Sequence, residues 1–146
     1  MERRVEVFFY GLFMDADALR EKGFRPTNAR QASVEDIALH LGERATLVPE
    51  RGGRVHGMLM SLTHAELDRL YAEPSVEAYR PEPVLASLRD GSIVAALCFN
   101  LPAVPAGARS NPEYAAKLRI AAKKMGLPEN YVATIGSTSR RDSRVA

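Results

Sequence analysis

The chain has 146 residues, 46% of them hydrophobic and 26% charged, which suits one globular domain whose core needs no disulfide or metal to hold it. Its 20 Lys and Arg against 18 Asp and Glu leave a formal net charge of +2, so nothing argues for nucleic acid as the main partner. The single cysteine, Cys98, excludes an intrachain disulfide and paired-cysteine zinc motifs. The N-terminal apolar run, Val7 to Phe13, is broken by Gly11 and is too short for a secretory signal. No window approaches the roughly 20 apolar residues of a membrane span. The expectation is a soluble, cytoplasmic protein.

Val5 to Tyr10 is β-branched and aromatic and predicts a buried first strand that Gly11 stops. Asp15 is placed to cap a short helix over Asp17 to Lys22, with Gly23 as its stop. Phe24 to Ser33, with Pro26 and Asn28, reads as loop. Val34 to Leu41 and Ala45 to Val48 read as short strands. Arg51-Gly52-Gly53-Arg54 has the composition of a hairpin turn, and Val55 to Leu62 returns as a strand. Thr63 and Glu66 form a capping box before a helix carrying Leu67, Leu70 and Tyr71, which Pro74 ends. Tyr79 to Leu88 and Ile93 to Leu101 are strands on either side of an Asp90-Gly91 turn, and Pro102 to Ser110 is a loop. Asn111-Pro112 opens a helix with Tyr114, Leu118, Ala121, Ala122 and Met125 on one stripe. Leu127 to Ile135 reads as a short return segment. Residues 1–136 are expected to form a single domain, and residues 137–146 a disordered tail. Tight turns between central strands point to an α+β domain, with helices around a mixed sheet or small barrel.

Few residues offer chemistry. His40, His56 and His64 contain no pair at helical zinc spacing, so no metal site is expected. Cys98 lies mid-strand between Leu97 and Phe99, where an inert buried thiol is expected. Gly136-Ser137 has no nucleophile elbow, and no phosphate-loop motif occurs. Gly11, directly after a buried strand, can let the backbone N–H groups of Tyr10 to Phe13 turn toward a carboxylate or a developing oxyanion. Among Asp68, Glu73, Glu77 and Glu82, Glu73 is the candidate base, since Leu70 and Tyr71 precede it and Pro74 follows it; Glu77 is the reserve.

Five segments in order resemble the γ-glutamylcyclotransferase-like (AIG2-like) family. They are Phe9-Tyr10-Gly11-Leu12-Phe13-Met14, Gly53-Arg54-Val55-His56-Gly57-Met58-Leu59, Leu62-Thr63 with Leu67-Asp68, Tyr79-Arg80, and the Asp90-Gly91 turn before an apolar strand. The resemblance spans about Val5 to Leu101. It implies a small mixed β-barrel flanked by helices. It implies an enzyme that cyclises a γ-glutamyl group to 5-oxoproline and releases the amine, with no metal or organic cofactor. It assigns Glu73 as general acid/base, the Tyr10, Gly11, Leu12 and Phe13 backbone as the anion-binding loop, and Tyr79 as a pocket wall. The chain departs from the family in two places. The family's Leu-Asp-x-x-Glu-Gly, counted from Leu67-Asp68, puts Tyr71-Ala72 where Glu-Gly belongs; counting back from Tyr79-Arg80 puts Glu73 there. Leu12-Phe13 replaces small or polar residues, which narrows the pocket and makes it more apolar. Two alternatives stand beside this reading. One is a non-catalytic small-molecule-binding member of the same fold. The other is an interaction protein that docks through the Asn111–Met125 helix or through Arg140, Arg141 and Arg144 of the tail.

Overall fold

The computed structural model describes residues 3–42, 44–102 and 111–136. The expected loop at 102–110 falls mostly outside these residues, and the expected tail wholly so. β1 (Arg4–Phe9) runs antiparallel to β3 (Ala45–Thr63), with Val7 opposite Met60. β3 pairs along its length with β2 (Thr27–Leu41), β2 with β4 (Arg80–Leu88), and β4 with β5 (Ile93–Asn100), all antiparallel. β5 returns beside β1 in parallel, Val7 opposite Leu97, and closes the barrel in the order β1-β3-β2-β4-β5. This is the α+β architecture expected of the sequence, a small mixed β-barrel flanked by helices.

Both faces of β1 are buried, which is why its sequence does not alternate. Phe8 and Tyr10 pack with Val55, Leu59 and Cys98 in one apolar cluster. Val7 and Phe9 pack in another with Met60, Leu62 and the helices. Those helices are α1 (Ala16–Glu21), capped by Asp15, α2 (His64–Leu70), α3 (Pro112–Lys124) and α4 (Glu129–Thr134). The Thr63–Glu66 capping box is formed in both directions, and the Asn111 side chain accepts the Tyr114 N–H at the head of α3. Ala115, Leu118, Ala121 and Ala122 of α3 are buried against the barrel, so the apolar stripe of that helix belongs to the chain's own core.

Several expected boundaries are corrected. The expected loop Phe24 to Ser33 already contains most of the first half of β2, which starts at Thr27 because β3 offers a partner as far along as Ser61. Arg51-Gly52-Gly53-Arg54 is no hairpin turn but lies inside β3; the chain reverses instead between Leu41 and Ala45. Gly52 sits there at φ 80°, its N–H donating to the Asp36 carboxylate at 3.0 Å, and the register shifts between Glu35 and Ile37. Glycine chemistry thus serves a bulge in a long ribbon, which looks locally like a turn. The return segment after Leu127 contains a helix, α4. α2 ends at Leu70, before Pro74, and a run of turns leads from Tyr71 to β4.

Candidate functional site

The end of β1, a 3-10 turn at Leu12–Met14, the end of α1, the start of β3 and the turns after α2 surround a cavity of about 330 Å³. Tyr10, Gly11, Leu12, Phe13 and Tyr79 all line it. So do Phe9, Tyr71, Phe99 and Tyr114, and the cations Lys22 and Arg44. Phe9 meets Phe13 edge-on at 6.5 Å, Phe13 meets Tyr71 edge-on at 6.5 Å, and Tyr71 stacks on Phe99 at 3.9 Å, 9° from parallel. A continuous aromatic wall results, held by edge-to-face and stacked contacts.

Backbone groups engage the tyrosine hydroxyls. Tyr10 donates to the Phe99 carbonyl at 2.7 Å, and Tyr79 donates to the Ala45 carbonyl. Burial pushes the Tyr79 phenol up to about 12, with Tyr114 adding to the rise and Arg44 opposing it. Burial likewise raises Tyr10 and Tyr71 well above the ordinary phenol value. The Tyr114 hydroxyl lies against the Tyr10–Phe13 loop: a Cβ on Gly11 would stand 3.0 Å from it, and the Leu12 N–H faces it. The Tyr114 oxygen therefore already occupies the N–H face of the loop at Leu12.

Among the described residues that line the cavity, Lys22 and Arg44 are charged and none is a carboxylate. Glu73 sits just outside. Its Oε1 accepts from Lys22 Nζ at 3.0 Å, one side chain away from the cavity. Glu77 is exposed and does not line the cavity. Glu82 accepts from Asn100 Nδ2 at 2.6 Å. Tyr71, at the position where a strict count of the Leu-Asp motif puts a Glu, is itself in the wall. Cys98 is fully buried, and no group of three His, Cys, Asp or Glu among the described residues is placed to hold a metal ion.

Sequence reasoning did not single out Lys22, Arg44, Phe99 or Tyr114. Tyr114 reads as one more member of a helical stripe, and Lys22 as the solvated end of a helix. Only the barrel's closure brings residues so far apart in the chain to one cavity.

The family model described as gamma-glutamyl cyclotransferase, AIG2-like, matches residues 7–117. The chain belongs to that family. Solved structures agree in fold. A γ-glutamyl cyclotransferase superposes with a TM-score of 0.76 at 19% identity, over 91% of this chain and 86% of its own. An uncharacterized human protein superposes with a TM-score of 0.77 at 20% identity, over 92% and 87%. The Bacillus subtilis protein YkqA gives 0.72 at 22% identity, over 91% of this chain and 53% of its own. No curated protein matches this chain in sequence. No helix among the described residues is long and apolar enough to cross a membrane.

Proposed function

We propose that this family member cyclises a γ-glutamyl conjugate to 5-oxoproline and releases the amine, with Glu73 as the base. The observation that carries the reading is the 3.0 Å ion pair between Glu73 and the cavity-lining Lys22. Lys22 presents to Glu73 the same group, an ammonium, that the substrate's α-amine would present. The pair is 42% and 31% exposed, so opening it costs little. A substrate's α-ammonium would replace Lys22 on Glu73, while its α-carboxylate would take the freed Lys22 ammonium.

The proton balance then closes within the site. The α-ammonium loses one proton to Glu73 and becomes a nucleophile, which the apolar wall favours by disfavouring its charged form. Its nitrogen attacks the γ-carbonyl carbon, and the ring N–C bond forms. The developing oxyanion is met by backbone N–H groups of the Tyr10–Phe13 loop once Tyr114 shifts off Leu12. Glu73 gives its proton to the leaving nitrogen, the amide C–N bond breaks as the oxyanion collapses to the lactam carbonyl, and the ring nitrogen's second proton passes to the vacated carboxylate. The released amine takes up the remaining proton.

A second reading has its own support. Tyr71 occupies the strict motif position, and no described carboxylate lines the cavity, which suits a non-catalytic binding protein of the same fold. Measuring 5-oxoproline release from γ-glutamyl dipeptides and γ-glutamylamines separates the two. Release by the wild type and its loss in Glu73→Gln, with binding retained, supports the enzyme. Turnover that survives Glu73→Gln removes Glu73 as the base. Binding without release by the wild type favours the binding protein.

A further inference from the structure

The chain has ten aromatic residues, five Phe and five Tyr, and eight of them line this one cavity. Four of them, Phe8, Phe9, Tyr10 and Phe99, are buried in the barrel's own core, and the other four are not. Phe13, Tyr71, Tyr79 and Tyr114 are only partly buried, so ring surface is left facing the cavity. Three of the hydroxyls, those of Tyr10, Tyr79 and Tyr114, are turned to backbone groups, which leaves ring faces and edges for a ligand. Leu12 and Val76 extend the apolar lining.

We propose that the conjugates this site takes carry an aromatic or large apolar amine, seated on the Phe13–Tyr71–Phe99 wall, with the γ-glutamyl carboxylate on Lys22 and Arg44. This rests on the reading of the cavity as a γ-glutamyl site and adds to it the class of the released amine. A wall of rings buries an aryl or branched alkyl group favourably, and offers nothing to the hydrogen of a glycine conjugate. The two cations complement a carboxylate and do not discriminate between amines, so selectivity falls to the rings.

The test is calorimetric binding of γ-glutamyl-phenylalanine and γ-glutamyl-glycine to Glu73→Gln, which keeps an amide oxygen to accept from the α-ammonium but cannot take its proton, alongside 5-oxoproline release by the wild type. The phenylalanine conjugate is expected to bind at least about tenfold more tightly. Tyr71→Phe keeps the ring and is expected to keep the preference. Tyr71→Ala is expected to bring the two conjugates within about threefold. Equal affinity, tighter binding of the glycine conjugate, or no binding of either overturns the proposal, and the comparison on the intact wall decides it even if Tyr71→Ala fails to fold. A tenfold preference without any 5-oxoproline release leaves this inference standing and removes the cyclisation. Release from both conjugates with equal affinity does the reverse.

Discussion

Glu66 ties the two segments that frame the cavity, and its removal should be costly. Its side chain is buried, 9% exposed. Oε1 accepts the Thr63 N–H at 2.9 Å, and Oε2 accepts the Arg25 N–H at 2.7 Å, just beyond α1. Glu66→Ala leaves both donors without that acceptor. A hydrogen bond to a charged group contributes about 1.5–3 kcal/mol, so with partial access to water the loss is about 3–4 kcal/mol. Glu66→Gln keeps one acceptor and points an amide donor at the other N–H, for about half that loss. At about 2–4 °C per kcal/mol for a domain near this size, Glu66→Ala should melt about 10 °C lower. Urea and thermal unfolding at pH 7 give both numbers. A loss below about 1 kcal/mol for Glu66→Ala, or equal losses for Ala and Gln, would refute the reasoning. The pH dependence follows. Burial raises the Glu66 carboxyl, but the Thr63 N–H, the Arg25 N–H and the Thr63 hydroxyl outweigh it and hold it below the ordinary 4.5. A depressed carboxyl contributes stability that is complete above 4.5 and is lost as pH falls through its folded-state value; Glu66→Gln should flatten that acid limb.

Other expectations are simpler. A Cβ at Gly57 would stand 2.3 Å from the Phe9 carbonyl oxygen, so Gly57→Ala must part β1 from β3 and should cost about 3 kcal/mol or more in urea unfolding; a neutral effect contradicts the register. The Cys98 thiol is pushed up to about 12 by burial, with the Glu82 charge adding to the rise. It should resist a thiol reagent at pH 8 in the folded protein and react at once in denaturant, whereas free-thiol reactivity in the folded state would place it at the surface. His56 is held below its ordinary 6.5 by burial and by Arg54. The unfolded chain therefore binds more protons there, and stability should fall as pH drops below 6.5; His56→Phe should remove that limb, and an unchanged curve argues against the burial of the ring.

What sequence made legible was local or carried by the family's motifs. The Thr63–Glu66 box, the Asn111 cap and the Asp15 cap need only neighbouring residues, and each formed as the residue types require. The barrel came from the motif order, and the residues those motifs mark as substrate-binding, Tyr10 to Phe13 and Tyr79, line the cavity. The misreadings are non-local. Gly52 and Gly53 carry the composition of a turn, but whether a strand ends there depends on whether a partner continues alongside, and β2 does, with a bulge at Asp36. Glu73 illustrates the same limit: counting back from Tyr79-Arg80 selects it, while its carboxylate is paired with Lys22, 51 positions earlier in the chain. The aromatic wall was invisible for a third reason, since rings scattered from Phe9 to Tyr114 look individually like core residues.

β3 feeds alternate side chains to two interiors: Met58, Met60 and Leu62 to one cluster, Val55 and Leu59 to the other. Neither interior can loosen while this strand stays in register, and neither survives its departure. The described barrel is therefore expected to melt as one unit, with calorimetric and van't Hoff enthalpies that coincide. For a ligand in the cavity, grip on the Tyr10 loop at the end of β1 is felt through β3 by the whole barrel. Occupancy of the site and the melting temperature of the molecule are then two readings of one equilibrium.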